Sequence, residues 1–359
     1  MKDNKNTYTD LKTKKLEKSK LEIMASVPSL FWETFRAEAL KNLNEAVALD
    51  GFRKGNIPES ILVSKLGEMT ILQEMAELAI PRAYVNILMD NKIDAIGKPN
   101  IQITKLAKGN PIEFKAETDI VPEFSLPEYK DLAKKEVNKD KKNSIEVNEK
   151  EVEDAILNVR KSFASHEGHD HSKMTKEEHD KAIMNNLPEF NDEFVKKVGD
   201  YKDVADFKQK VSGIILEDKK AQARDKLRIS IAEAISEKTK VEIPESMIES
   251  ELSRTEAQFN ADLERMNVKM EDYLKHAKKT IEDLKTEWKP YAEKKAKLQL
   301  IINRIAEVEN IKPSKEDIDG EVSVILSQYK DADREKATVY AETVLTNEKV
   351  FQFLEGQSE

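Results

Sequence analysis

Residues 51–58 read GFRKGNIP. Phe52, Arg53 and Lys54 stand side by side between Gly51 and Gly55, and Pro58 closes the stretch. Glycines at both ends and a following proline forecast a turn between two helices. An apolar ring beside two cations offers two kinds of contact at once. Burial of the ring against a partner contributes about 2–3 kcal/mol. Arg53 and Lys54 suit phosphate or carboxylate, the guanidinium in bidentate fashion. Two readings of the loop stand open: an ordinary connector whose Phe52 folds back on its own helix, or an exposed docking tip with weak, salt-sensitive affinity.

A second cluster is HEGHDH, with His166, His169 and His171 among carboxylates. Imidazoles in such company bind zinc, nickel or copper. The same stretch also reads as a solvated linker with adventitious metal affinity. The chain has no cysteine, which excludes disulfides and thiolate ligands and fits a reducing compartment. A Gly-rich phosphate loop, a nucleophile elbow and a paired metal motif are all missing, so no catalytic set and no cofactor are expected. Carboxylates are everywhere along the helices and read as solvated faces.

The elements that must carry these residues follow from periodicity. Residues 1–15 are polar and lysine-rich and read as a frayed end. Leu21, Ile23, Ala25 and Val27 alternate as a strand does. Ser29 is placed to cap a helix with Phe31, Phe35, Ala39, Leu43 and Val47 on its apolar face. The loop comes next, then a short helix after Pro58 and a long one over 68–92, which Pro81 should kink or divide. Ile101 and Ile103 alternate in one strand, and Ile112, Phe114 and Ala116 in another, across a KGNP turn. Residues 16–125 thus form an α+β unit.

From Pro127 to about Asn148 the chain is charged and reads as a linker. A short helix follows, with Val152, Ile156 and Val159 on one face, and then the histidine stretch. Beyond residue 200 the pattern is almost wholly helical. Ile248, Leu252, Thr255, Phe259, Leu263 and Met266 keep 3–4 spacing after Pro244. A further stretch carries Leu274, Ile281, Leu284 and Trp288, with a break expected at Pro290, and Ser314 and Asp317 form a capping pair. The division expected is 1–130, an α+β domain; 131–190, a linker region with a short helix; and 191–359, a helical domain.

Composition sets the outer bounds. Charged residues are 36% of 359, hydrophobic residues 39% and aromatics 6%, which suits an elongated, mostly helical molecule better than one large core. A net charge of -9 argues against wrapping of nucleic acid along a basic face but leaves room for one small basic contact. The N-terminus has no apolar signal-peptide region, and no apolar run reaches membrane-spanning length, so no membrane contact is expected.

GFRKGNIP, preceded by WETFRAEALKNLNEAVALD, closely resembles the ribosome-docking motif of the bacterial trigger factor family. The likeness continues through NKIDAIGKPNIQI and FKAETDIVPEF, and LQLIINRIAEVENIKPSKEDIDGEV is similar to that family's C-terminal arm. It covers residues 16–130 and 185–359. The resemblance implies an α+β ribosome-docking domain followed by an elongated helical chaperone domain, in a bacterial cytoplasmic protein. By matching positions, Phe52, Arg53 and Lys54 would dock, with Gly51, Gly55 and Pro58 shaping the loop. The implied partners are the large ribosomal subunit (a tunnel-rim protein and adjacent ribosomal RNA) and unfolded nascent polypeptides, with a homodimer as the form off the ribosome.

Family members usually carry a prolyl isomerase domain of the FK506-binding type between these parts. Here only about twenty residues, Ser165 to Met184, stand in its place, where even a small domain needs roughly fifty. An ATP-independent holding chaperone without enzyme activity is therefore expected. Its client-binding candidates are Met247, Ile248, Phe259, Met266 and Trp288, for each of which internal helix packing is the competing reading. A free cytosolic holdase or helical adaptor that does not use ribosomes is the alternative function, and a prolyl isomerase the third.

Overall fold

The computed structural model describes residues 7–49, 52–53, 55–141, 144–164 and 183–357. Its contacts form two compact units, each assembled from two stretches of chain: Met1–Ser125 with Thr239–Ile302, and Leu126–Lys238 with Asn303–Glu359. The fold is α+β at the N-terminus, with one small antiparallel sheet, and helical thereafter.

In the first unit, strands β1 (Thr9–Lys15), β2 (Lys20–Val27), β3 (Ala95–Lys105) and β4 (Ile112–Ile120) pair in the order β1-β2-β4-β3. The register places Ile23 opposite Ala116, Ala25 opposite Phe114 and Val27 opposite Ile112. All six are buried, which is the alternation that the sequence displays. Glu22 and Lys115 emerge on the other face as an ion pair of 2.6 Å.

Helices α1 (Ser29–Trp32), α2 (Arg36–Ala46), α3 (Glu59–Leu66) and α4 (Glu68–Asn91) complete this layer. A 3-10 turn at Glu33–Phe35 separates α1 from α2, and the cap position is Pro28 rather than Ser29. Trp32 is buried completely and donates its indole N–H to the Asn110 carbonyl at 2.9 Å, tying α1 to the β3–β4 turn. The inner face of α4, with Ile71, Met75, Ala79, Ala83 and Ile87, shares one core with β2 and β4.

Four expectations are corrected. The N-terminal stretch is not frayed from Thr9 onward: it is the edge strand β1. Its apolar signal is a single half-buried residue, Leu11, so period-2 patterning could not reveal it. Of the kink or division expected at Pro81, the division does not occur, since α4 runs on through it, and Pro290 does not break the helix that contains it. Both prolines face solvent, so the carbonyl that each deprives of a partner can turn to water.

The fourth correction concerns the charged segment after Pro127, where α5 (Tyr129–Asp140) forms with Tyr129, Ala133 and Val137 buried. Those positions repeat every fourth residue, a stripe that the surrounding lysines conceal. The Tyr129 hydroxyl donates to the Glu309 carboxylate, which also pairs with Lys130 at 2.8 Å. Burial and that carboxylate push the phenol up to about 12.

The rest of the second unit is α6 (Glu149–Ser162), α7 (Asp192–Val198), α8 (Val204–Lys238), and the C-terminal helices described below. An Asn148–Glu151 capping box opens α6. Ile156, Phe194, Val195, Phe207 and Val211 form a small core between these helices. The other helices are α9 (Glu245–Arg265), α10 (Met270–Ala277), α11 (Ile281–Val308), α12 (Lys315–Gln328) and α13 (Arg334–Glu355). α9 and α10 lie in the first unit, α12 and α13 in the second, and α11 contributes to the first through Ile302 and to the second from Asn303. No described helix is long and apolar enough to cross a membrane.

Candidate functional site

The loop of interest leaves α2 after Ala46, where Val47 turns to an extended conformation. A helix end leaves its last carbonyls without intrahelical donors. One of these, on Asn44, accepts the Gly55 N–H from the far side of the loop at 3.1 Å. Gly55 sits at φ +84, a conformation that costs glycine little and other residues more. The Asn44 side chain meets Ile57 on both sides: its Nδ2 donates to the Ile57 carbonyl at 2.7 Å, and its Oδ1 accepts the Ile57 N–H at 3.0 Å. Ile57 itself is only 3% exposed and anchors that side. Pro58, exposed at φ -58, then leads into α3 and accepts from Ile61 and Leu62.

Local turns shape the tip. Phe52 N–H donates to the Leu49 carbonyl at 3.1 Å and Asn56 N–H to the Arg53 carbonyl at 3.0 Å. Phe52 is 39% exposed, so part of its surface already rests on the chain and part is open to solvent. Arg53 is exposed and forms no ion pair with any described residue. Gly51 and Lys54 lie outside the described residues.

Ion pairs hold the helices that flank the loop. Arg36 on α2 reaches Glu68 at 2.9 Å and Glu59 at 3.3 Å, and Lys108 reaches Glu68 at 3.1 Å. Hydrogen bonds from Arg36 and Lys108 hold the Glu68 carboxyl below its ordinary range, and the one to Glu68 raises the Arg36 guanidinium. The loop therefore springs from two helices that are fixed to each other.

The client-binding candidates scatter. Ile248 is 5% exposed and belongs to the interior, so it presents no surface. Met247 is half-buried. Phe259 and Trp288, also half-buried, are brought together at 5.4 Å between ring centroids, and Tyr273 joins Phe259 at 5.0 Å, both edge to face. Met266, just past the end of α9, is 64% exposed. The helical stretch expected to run from Leu274 to Trp288 is two helices. Lys278 is left-handed, and Thr280 and Asp283 cap the second helix through mutual hydrogen bonds of 2.9 and 3.1 Å. His166, His169 and His171 lie outside the described residues, and among the described residues no group of three or more acidic or histidine side chains could hold a metal ion.

Asn44, Ile57 and Tyr273 escaped the sequence reading. Tyr273 sits in an amphipathic segment and was legible there. Asn44 was not, because its role depends on a backbone pairing with a residue on the other side of the loop.

Two family models match this chain. One, described as bacterial trigger factor protein, matches residues 9–159, and the other, described as the C-terminus of that protein, matches residues 203–355. The chain belongs to the bacterial trigger factor family. Trigger factor from Moorella thermoacetica is 25% identical over 382 residues, covering 86% of this chain and 84% of that protein. Trigger factor from Clostridium kluyveri is 24% identical over 436 residues, covering 97% and 99%. A solved structure described as "Promiscuous Substrate Recognition in Folding and Assembly Activities of the Trigger Factor Chaperone" is 16% identical with a TM-score of 0.47, covering 96% of this chain and 99% of that one.

Proposed function

We propose that this chain is an ATP-independent chaperone of the bacterial cytoplasm, docked near the nascent-chain exit of the large ribosomal subunit through Phe52, Arg53 and Lys54. Residues 1–130 carry the docking and 191–359 most of the client contact. The observation that carries the reading is the loop tip. A phenylalanine left 39% exposed beside an arginine with no ion-pair partner among the described residues, on a loop braced at its base, suits a surface completed by another particle. Docking raises the local concentration of chaperone around emerging chains, so weak apolar contacts suffice. Met266 and the half-buried Phe259–Trp288 pair provide such contacts, whereas Ile248 is interior and does not. With no nucleotide-binding motif in the sequence, release follows from weak affinity and from client folding.

We also infer that the chain works without a prolyl isomerase domain. The two family models leave residues 160–202 between them, too few for such a domain. The 436-position alignment to the Clostridium kluyveri protein is longer than this chain of 359 residues, so that relative carries residues this chain lacks. Sedimentation with purified large subunits tests the docking. The chain should pellet with them, and the combined variant Phe52→Ala, Arg53→Ala, Lys54→Ala should stay in the supernatant. Equal pelleting of both would refute the assignment, and failure of the unaltered chain to pellet would favour a free holdase.

A further inference from the structure

We propose that Asn44 is a positioning residue for docking: its side-chain amide clasps the Ile57 backbone and keeps the loop closed, with Phe52 and Arg53 held at the tip. The inference rests on the docking reading above.

The geometry distinguishes the clasp from the other bonds of the loop. Those of Phe52 and Asn56 each span three residues and shape the tip without joining its ends. Among the described residues of the loop, the two sides meet at Asn44, through three hydrogen bonds. Two run between its amide and the Ile57 N–H and carbonyl, and the third runs from Gly55 N–H to its own carbonyl. A side-chain amide that donates to and accepts from one residue's backbone copies the pairing of two antiparallel strands. Closing a loop of this length costs entropy that local turns do not repay. The clasp supplies the compensation at a site where Ile57 is buried, beside the Gly55 N–H that the Asn44 carbonyl accepts. Phe52 and Arg53 are thus presented already placed, and docking does not have to place them.

Two variants test this. Asn44→Ala removes both side-chain bonds. Hydrogen exchange at the Ile57 amide should accelerate about five- to tenfold, with the amides of β2 and α4 unchanged. If the clasp of the unaltered chain is closed about nine-tenths of the time, affinity for large subunits should fall about two- to tenfold. Asn44→Asp adds a reading that general destabilisation would not reproduce. As a carboxylate it can accept from Ile57 N–H but cannot donate to the Ile57 carbonyl, whereas protonated it does both. Its pKa is set by the Ile57 carbonyl and N–H that it faces, by Glu45 and Glu59 of the same groove, and by Lys41 and the Arg36 that pairs with Glu59 at 3.3 Å. Protection of the Ile57 amide, normalised to the unstructured chain, should therefore rise as pH falls through that pKa.

The proposal is overturned if Asn44→Ala leaves Ile57 protection unchanged, or if protection is lost while ribosome affinity stays as it was. In the second case docking stands and only the positioning role fails. If the unaltered chain does not bind large subunits, the docking reading fails and the positioning role falls with it, while the exchange data still report on the clasp.

Discussion

Replacing Glu348 by glutamine should loosen the C-terminal helix of the second unit, with a pH dependence of definite sign. Arg228 on α8 is mostly buried, and its guanidinium lies against two carboxylates of α13. Glu348 is met in bidentate fashion at 2.7 and 2.8 Å, while Glu355 takes the Nε side. The hydrogen bonds from Arg228 hold the Glu348 carboxyl at about 2, against an ordinary 4.5. That difference sets an upper bound of about 3 kcal/mol. The Glu348 side chain is 39% exposed, however, and solvent screening brings the expected contribution to about 1–2 kcal/mol. Because two compact units need not unfold together, the suitable assay is hydrogen exchange at the amides of α8 and α13 rather than a melting curve. At pH 7 the variant should exchange about 5- to 30-fold faster there. A depressed carboxyl stabilises fully above its unfolded value and ceases to do so as it is protonated. The gap between the two proteins should therefore be constant from pH 7 to about 5 and shrink below about 4.5. Equal exchange at pH 7, or a gap that widens on acidification, would show that the Arg228–Glu348 pair does not hold α13 in place.

Other perturbations follow from single sites. Gly67 joins α3 to α4 at φ 82, ψ 151, a region almost reserved for glycine, with open space where an added methyl would sit. Gly67→Ala should cost about 1–3 kcal/mol through backbone strain alone, visible as faster exchange along α3. Trp32→Phe strands the Asn110 carbonyl and should cost about 2 kcal/mol in chemical denaturation of the first unit. Met266→Asp, at an exposed position, should leave folding intact yet raise by about threefold the chaperone concentration needed to suppress aggregation of a denatured client. In a proline-peptide isomerisation assay the chain should leave the uncatalysed rate unchanged, and any clear acceleration would overturn the proposed loss of the isomerase.

Where burial and period coincide, the chain is readable. Leu21, Ile23, Ala25 and Val27 announce β2 because one face of that strand meets the core. Edge strand β1 is silent because both of its faces are largely wet. Helix α5 was hidden by its charge, although Tyr129, Ala133 and Val137 mark its buried stripe. Thr280 and Asp283 form the same kind of cap that Ser314 and Asp317 make legible, and they divide a stretch that apolar spacing had joined. Pro81 and Pro290 misled because the cost of a helical proline depends on which face it occupies, and a sequence read alone does not give the face. At the loop, glycine placement foretold the turn. Its bracing by Asn44 depends on a backbone geometry that exists only in the folded chain.

On the proposed docking, part of the surface of Phe52 is completed by a surface outside this polypeptide. Phe52 is 39% exposed, so docking can bury only that open part, worth about 1 kcal/mol rather than the full value of a phenylalanine. A titration of fluorescently labelled protein with purified large subunits, comparing the unaltered chain with Phe52→Ala, reads this directly. The expected result is an affinity loss of about fivefold with an unchanged dependence on salt. Equal affinities for the two proteins would contradict the account.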